Sequence, residues 1–217
     1  VTDRDGNRNL RITASRQRGD EWWSALLRAR PSRYVDLTVP GTLTVRVRFP
    51  FLPGMWPAVW LVGERAWADG DGFVPWPECG ELDLGEVAGV KAHGRLPLLH
   101  GNLHGQDTDG GHWERRAPIG YEGITSWMTL GLRVDVDPYR LTWLVDDQPR
   151  RVWTPEPGVP FPFGTGPRQS RRAGPVVNLA VGGDWVGPPT PGTPDAVMLV
   201  GEIRYRPRLT SQGTVAA

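Results

Sequence analysis

An all-β sandwich or jelly roll, with long loops on one side, is the fold class that this sequence predicts. In several short segments apolar and polar residues alternate with a period of two, which is typical of half-buried strands. The chain holds 28 Gly and 22 Pro, yet 39% of its residues are hydrophobic, which describes a packed domain of short elements joined by turns. Helical periodicity is confined to one segment, residues 21–30.

The predicted strands are spread along the whole chain. They cover residues 9–15, 43–49, 81–84, 140–147, 176–183 and 200–208. In the second of these, Arg46 and Arg48 alternate with valines, as expected for a sheet with one solvated and one packed face. Two adjacent Trp within residues 21–30, and Pro31 behind them, argue against a helix there. We find no repeat and no linker, so we expect a single domain over residues 1–217.

Charge and cysteine content exclude several classes of protein. The chain has 25 basic and 24 acidic residues, so we expect neither a nucleic-acid nor a membrane partner. No apolar run is long enough for a transmembrane helix. The polar start of the chain is not a signal peptide. Cys79 is the single cysteine, which excludes an internal disulfide, and we interpret it as a small buried residue rather than a nucleophile.

Three acidic residues crowd the segment "GELDLGEV" at residues 80–87. Strand alternation places Glu81 and Asp83 on one face and Glu86 on the other. A β-bulge at or beside Gly85, which tolerates unusual dihedrals, returns Glu86 to the face of the other two. The alternative is a plain solvent-facing strand with its leucines turned inward, which leaves Glu86 facing the core.

Converging carboxyl groups suit retaining glycoside hydrolysis, in which one carboxylate attacks the anomeric carbon and a second, protonated one donates to the leaving oxygen at a separation of roughly 5 Å. Metal binding is the competing use, and an all-oxygen cluster favours Ca²⁺ or Mg²⁺. The 11 Trp residues fill a core or form flat platforms for sugar rings.

The motif order adds a family resemblance. "WPECGELDLGE" (76–86) resembles the catalytic strand of glycoside hydrolase family 16, in the laminarinase-like members with a bulged E-x-D-x-x-E signature. "PGMWPAVWLVG" (53–63) is similar to that family's Gly-x-Trp-Pro-Ala-x-Trp stretch, and "GNLHG" (101–105) to its Gly-Thr-Leu-His-Gly strand. "NLAVGGDWVG" (178–187) resembles its C-terminal segment. The match runs in the expected order from about residue 5 to residue 206.

The resemblance implies a concanavalin-like jelly roll with an open cleft on its concave sheet. It implies Glu81 as nucleophile, Glu86 as general acid/base, and Asp83 as the group that tunes the nucleophile. His104 is expected beside the acid/base. The substrate-binding residues that the motifs imply are Trp56, Trp76, His104, Asn178, Trp185 and Arg46. We interpret Trp60 as a core residue, and His93, His100 and His112 as surface residues.

The chain also departs from the family pattern. One or two strands that usually precede "GNRNLRITA" are missing, or lie upstream in a longer natural chain. Gly201 stands where the family has an Asp that often serves a structural calcium site, so calcium is less supported here, and no cofactor is required. Gly85 replaces a frequent bulky apolar residue, which we expect to remove a side chain from the cleft.

The leading hypothesis is an endo-acting retaining β-glucanase for internal β-1,3 linkages, with mixed β-1,3-1,4-glucan second and a galactan third. Transglycosylation uses the same site. The alternatives from other classes are a non-catalytic β-glucan-binding protein and a lectin-like sandwich that binds sugar through a metal. We expect a secreted monomer whose signal peptide is not in this chain.

Overall fold

Strands account for nearly all of the regular structure in the computed structural model, which describes residues 1–2, 6–89, 98–120, 123–163 and 170–208. Among these residues, three short 3-10 turns cover Pro31–Arg33, Glu64–Trp67 and Gly70–Gly72. The strands are β1 (Leu10–Arg16), β2 (Trp22–Trp23), β3 (Leu26–Arg28), β4 (Val35–Asp36), β5 (Gly41–Arg48), β6 (Met55–Gly63), β7 (Glu81–Glu86), β8 (His100–Gln106), β9 (His112–Pro118), β10 (Met128–Val136), β11 (Tyr139–Val145), β12 (Gln148–Trp153), β13 (Arg172–Val181) and β14 (Ala196–Pro207).

Two antiparallel sheets form a sandwich, which confirms the predicted fold class. Sheet A has the strand order β12-β11-β10-β5-β14-β1-β2. Sheet B has the order β3-β13-β6-β7-β8-β9, and β4 also pairs with β13. Neighbours in each sheet come from distant parts of the sequence, since β5 lies between β10 and β14 and β13 lies between β3 and β6. The central strands of both sheets are therefore held by pairings that close only when most of the chain is in place.

The core lies between the sheets and follows from the period-2 pattern. In β5, Val45 and Val47 are buried and alternate with half-buried polar residues. Leu82 and Leu84 of β7 meet Trp143 of β11 in the same buried cluster. Burying side chains of this size stabilises the fold by about 1.5–3 kcal/mol each. Each sheet therefore has one face in the core and one outer face.

The segment 21–30 is not helical. It forms β2, which pairs with β1 at the edge of sheet A, and β3, which pairs with β13 at the edge of sheet B. The paired tryptophans belong to the first of these short strands. Nowhere in the described parts of the chain does a helix reach the length and apolarity needed to cross a membrane.

Candidate active site

A β-bulge in β7 brings the three acidic residues to the outer face of sheet B. Asp83 pairs with Asn102 of β8, whereas Glu86 pairs with His100, so β7 uses one residue more than its neighbour between these points. The pairing with β6 shifts at the same place. Glu81, Asp83 and Glu86 line one depression, and Leu82 and Leu84 are buried behind them. The predicted bulge and the predicted common face are both present.

Gly85 faces the core rather than the cleft. A Cβ atom at this position would stand 2.8 Å from Leu130 Cδ1 and 3.0 Å from Leu99 Cδ1, both of which are buried between the sheets. The expectation that Gly85 removes a side chain from the cleft is therefore wrong. Two consecutive residues of the bulge, Leu84 and Gly85, point inward, and only glycine fits the second place without displacing core side chains.

Two donors hold the Glu86 carboxyl group, one on each oxygen. Trp56 Nε1 of β6 donates to Oε2 at 2.8 Å. Asn102 Nδ2 of β8 donates to Oε1 at 2.5 Å. Glu86 is buried with 8% of its surface exposed, so these contacts fix its orientation at the rim of the core. Asn102 was missed in the sequence because its motif position identifies a strand but not the side chain it meets.

Glu81 and Asp83 share His104 on the neighbouring strand. His104 Nε2 lies 3.4 Å from Asp83 Oδ2 and 3.8 Å from Glu81 Oε1. The Trp76 side chain hydrogen-bonds Glu81 from the loop before β7. The expectation that His104 lies beside Glu86 is thus wrong: the register places it opposite Glu81, at the other end of the carboxyl row.

A core tryptophan supports the same strand from behind. Trp143 is fully buried, and its Nε1 donates to the backbone oxygen of Asp83 at 2.7 Å. A Cβ on Gly101 would stand 2.4 Å from that nitrogen, so the glycine of the "GNLHG" strand leaves room for the indole. The backbone of Asp83, the middle acidic residue of the site, is therefore anchored to a side chain of sheet A.

Burial raises the pKa of all three carboxyl groups. Desolvation is the largest cause for each of them, and the charge of Asp83 raises the pKa of Glu81 and of Glu86 further. The pKa rises to about 8 for Glu81, about 7 for Asp83 and about 8 for Glu86. Carboxyl groups in such contact lose their protons as one coupled set. The cluster therefore still holds protons near neutral pH, so that one of its carboxyl groups is available as an acid.

The raised pKa values predict that alkaline pH weakens the fold. A carboxyl group whose pKa is higher in the folded state contributes stability that is fully present below its unfolded pKa and lost as pH rises through its folded pKa. We expect the Tm to fall by about 5 °C or more between pH 5 and pH 9, measured by calorimetry. The slope should be flatter in Glu81→Gln and unchanged in Glu202→Gln, whose side chain is exposed on sheet A. A wild-type Tm that rises over this range contradicts the assignment.

Aromatic rings border both ends of the carboxyl row. Trp76 is half exposed and lies 4.6 Å from the ring of His112, which stacks at 5.2 Å on His104. At the other end Trp185 lies 5.1 Å from Trp56. Trp56, Trp76, His104 and Trp185 line the cleft, as does His100, whose ring is 5.4 Å from Trp185. His112 is exposed, as predicted. His100 is half-buried in the cleft, and His93 lies outside the described residues.

On the β6 and β13 side, the cleft is lined by Trp60 and Asn178. Trp60 Nε1 donates to Asn178 Oδ1 at 2.8 Å, and both line a depression with Glu81 and Glu86. The position of Asn178 agrees with the prediction. The interpretation of Trp60 as a core residue is wrong, since it is only half-buried on the outer face of sheet B.

Arg46 does not lie in the cleft. It belongs to β5 in sheet A, and its neighbours Val45 and Val47 point into the core, so its side chain points away from sheet B. The guanidinium lies 3.9 Å from the ring centroid of Trp127. The prediction that Arg46 binds substrate is therefore wrong, because alternation in β5 identified its face but not its sheet.

Replacing Arg46 should spare the chemistry of the cleft. We expect Arg46→Ala to leave kcat/KM unchanged and to lower stability by about 0.5–1 kcal/mol through the lost cation–π contact. Steady-state kinetics and urea unfolding measure the two effects, with Arg46→Lys as the control that keeps the charge. A tenfold loss of kcat/KM at unchanged stability would return Arg46 to the substrate site.

The Cys79 thiol lies close to the carboxyl group of Glu81. Burial raises the pKa of the Cys79 thiol to about 12, so it stays protonated and is not a nucleophile.

Single ligand atoms of Glu81, Asp83 and His104 lie within 4.8 Å of one another, close enough to share one metal ion. This set includes an imidazole, unlike the all-oxygen site that the sequence suggested.

The calcium site that the resemblance implies does not fit the residues present. Gly201 offers no carboxylate, and Asn9 Oδ1 stands 3.1 Å from where a Cβ at that position would lie. That amide oxygen is buried and has no hydrogen-bond partner among the described residues. The position therefore offers a neutral amide oxygen but lacks the carboxylate that Ca²⁺ sites usually combine with carbonyl oxygens.

Comparison with known proteins agrees with this geometry. No family model matches the chain. A curated relative, the glucan endo-1,3-beta-glucosidase of Cryptopygus antarcticus, is 30% identical over 158 residues, which is 68% of this chain and 52% of the relative. The chain spans about half the length of the curated relatives it matches.

Solved structures share the fold. The laminarinase catalytic domain from Thermotoga maritima MSB8 superposes with a TM-score of 0.70 at 23% identity, covering 93% of this chain and 78% of that one. A glycoside hydrolase family 16 endo-glucanase from Bacteroides ovatus gives 0.69 at 17% identity, covering 95% and 84%. The jelly-roll assignment thus rests on both the strand order and these neighbours.

Proposed function

We propose that this chain, whose motifs resemble glycoside hydrolase family 16 and whose fold is shared by an endo-glucanase of that family, is an endo-acting, retaining β-glucanase that cleaves internal β-1,3-glucosidic bonds. The observation that carries the proposal is the bulge in β7, which brings Glu81 and Glu86 to one face with Asp83 between them. A cleft open to solvent along the outer face of sheet B suits a polymer that enters from the side rather than from its end.

The reaction begins at the Glu86 end. Glu86, protonated, donates its proton to the glycosidic oxygen while the Glu81 carboxylate attacks the anomeric carbon, so the carbon–oxygen bond breaks and a glycosyl ester on Glu81 forms. Glu86, now ionised, takes a proton from water, whose oxygen attacks the same carbon and releases Glu81. The configuration at the carbon inverts twice and is retained overall.

His104 and neighbouring hydrogen-bond donors lower the pKa of both glutamates against the effect of burial. His104 lies within 4 Å of both Asp83 and Glu81, and its field lowers the pKa of Glu81. The Trp76 donor also lowers that pKa and thereby favours the ionised nucleophile. At the other end, Trp56 and Trp185 present ring faces and edges on which a sugar can pack.

The β-1,3 preference is drawn from the curated relative that is named for this linkage. Reducing-end release from laminarin, mixed-linkage β-glucan and agarose, with chromatography of the products, tests it. We expect oligosaccharides of mixed length from laminarin, and proton NMR should show the β-anomer first. Faster release from mixed-linkage glucan would reassign the linkage, and an α-anomer would overturn the retaining mechanism. Longer products from added acceptor sugars would indicate transglycosylation.

Two non-catalytic alternatives have distinct signatures in the same assay. A non-catalytic β-glucan-binding protein, when immobilised on a resin, retains laminarin but releases no product from any polysaccharide. A lectin that uses Glu81, Asp83 and His104 as metal ligands loses its affinity in EDTA. Activity unaffected by EDTA excludes the second.

We also propose that the protein acts outside the cell as a monomer. A glucan polymer does not pass a membrane, so its hydrolysis requires secretion. Enzyme activity in the medium of the producing organism, and the molar mass from light scattering, test these two proposals.

A further inference from the structure

Asn102 is the buried polar residue of the site that neither the motif nor the mechanism assigns. It lies on β8 directly opposite Asp83 in the strand register, with 8% of its surface exposed. Its Nδ2 donates to Glu86 Oε1 at 2.5 Å, and its side chain also hydrogen-bonds Asp83. One amide group therefore bridges the general acid/base and the middle carboxyl.

This bridge is made at a cost. Asn102 Oδ1 is fully buried and has no hydrogen-bond partner among the described residues. A buried acceptor without a partner destabilises a fold, and an aliphatic residue would remove the penalty. The "GNLHG" strand resembles a family motif that has Thr here, and a single hydroxyl proton serves one carboxyl at a time. This chain thus has an amide where a smaller group would cost less, and the two hydrogen bonds of that amide to carboxyl groups point to a functional use.

Glu86 needs such a support because its task changes its charge. It must hold one orientation as an acid, when it protonates the leaving oxygen, and as a carboxylate, when it activates water. Trp56 Nε1 fixes one of its oxygens, which leaves rotation about that contact free. The Asn102 donor on the other oxygen removes this freedom.

We propose that Asn102 is a positioning residue that holds the Glu86 carboxyl in its catalytic orientation while the glycosyl ester forms and while it is hydrolysed. The proposal rests on the function proposed above and deepens it. Asn102 touches the acid/base and Asp83, not the reacting atoms. Its loss therefore weakens proton transfer more than nucleophilic attack.

The dependence of the rate on the leaving group separates an effect on proton transfer from an effect on nucleophilic attack. For Asn102→Ala we expect kcat/KM on laminarin to fall about 10- to 100-fold, a part of the 10²–10⁴-fold that general acid catalysis supplies. With a 2,4-dinitrophenyl laminaribioside, whose leaving group needs no proton, kcat/KM should change less than about threefold. Asn102→Thr, which keeps one donor, should recover part of the loss on laminarin.

The pH profile supplies a second readout. Because the Asn102 donor lowers the pKa of Glu86, its removal should move the basic limb of kcat/KM to higher pH. The other titratable or charged groups at this cleft stay in place. They are Glu81 and Asp83 on β7, His100 and His104 on β8, and Glu114 and Arg116 on β9.

Asn9→Ala is the matched control. Asn9 is also a buried asparagine whose Oδ1 has no partner among the described residues, but it lies by Gly201 on the sheet A side. It should leave both substrates and the pH profile unchanged. Equal losses on laminarin and on the aryl glycoside, or no loss on either, would overturn the role of Asn102.

A titration that needs no turnover keeps the two proposals distinct. In protein with ¹³C-labelled glutamate carboxyl groups, Asn102→Ala should raise the titration midpoint of Glu86 by NMR. An inactive wild type in which this shift occurs would refute the glucanase but not the contact. An active wild type without the shift would refute the positioning role alone.

Discussion

Glu81→Ser should abolish turnover, lowering kcat on laminarin on the order of 10⁵-fold. The hydroxyl of serine is too short and too weakly nucleophilic to attack the anomeric carbon, so the covalent intermediate does not form. Glu86, Trp56 and Trp185 remain, so laminarin binding should persist. Reducing-end assays and calorimetric binding measure the two quantities separately.

The control for this experiment is Glu202→Ser, which removes an exposed carboxylate from sheet A and should leave kcat unchanged. Added azide or formate should restore part of the activity of a Glu81→Gly variant and give the product of opposite anomeric configuration. Retained activity in Glu81→Ser without such additives would show that another group attacks the sugar.

Inserting one glycine between Gly85 and Glu86 should have the second largest effect. If the bulge stays at Leu84 and Gly85, the inserted glycine takes the place of Glu86 on the cleft face, and Glu86 moves to the next position, which faces the core. The carboxyl then loses Trp56 and Asn102 as partners. We expect kcat/KM to fall about 10²–10⁴-fold and stability to fall by about 3–5 kcal/mol, the range for an uncompensated buried charge.

Deletion of Gly85 is the matched opposite change. It places the second glutamate four positions after Glu81, a spacing that a regular strand puts on one face without a bulge. The deletion should therefore keep more activity and more stability than the insertion, as kinetics and urea unfolding would measure. If both changes are equally harmful, the spacing rule does not explain the site.

The face of each acidic residue could be predicted from the sequence because it depends on neighbours in the same strand. Alternation with a period of two assigns Glu81 and Asp83 together, and it reveals Glu86 as the exception that a bulge must correct. The same rule placed Val45 and Val47 in the core. These are local consequences of backbone geometry, so no knowledge of the other strands was needed.

Partners across strands could not be predicted in this way. Whether Arg46 faces the cleft depends on the sheet to which β5 belongs, and that is decided by pairing with β10 and β14, which lie about 80 and 150 positions further along the chain. His104 and Asn102 lie two residues apart on one strand, yet His104 contacts Glu81 and Asn102 donates a hydrogen bond to Glu86. They have different partners because the register shifts at the bulge.

The bond from Trp143 to the Asp83 backbone has a consequence for how this protein tolerates mutation. Trp143 is buried on the opposite sheet and touches no position that a sugar could reach, so inspection of the cleft would rank it as a neutral place for change. Yet the Trp143 indole, which fits because Gly101 has no side chain, fixes the distance of β7 from sheet A. Under selection for catalysis alone, these two buried residues should vary as a pair, and changes there should surface as kinetic defects in proteins that still fold.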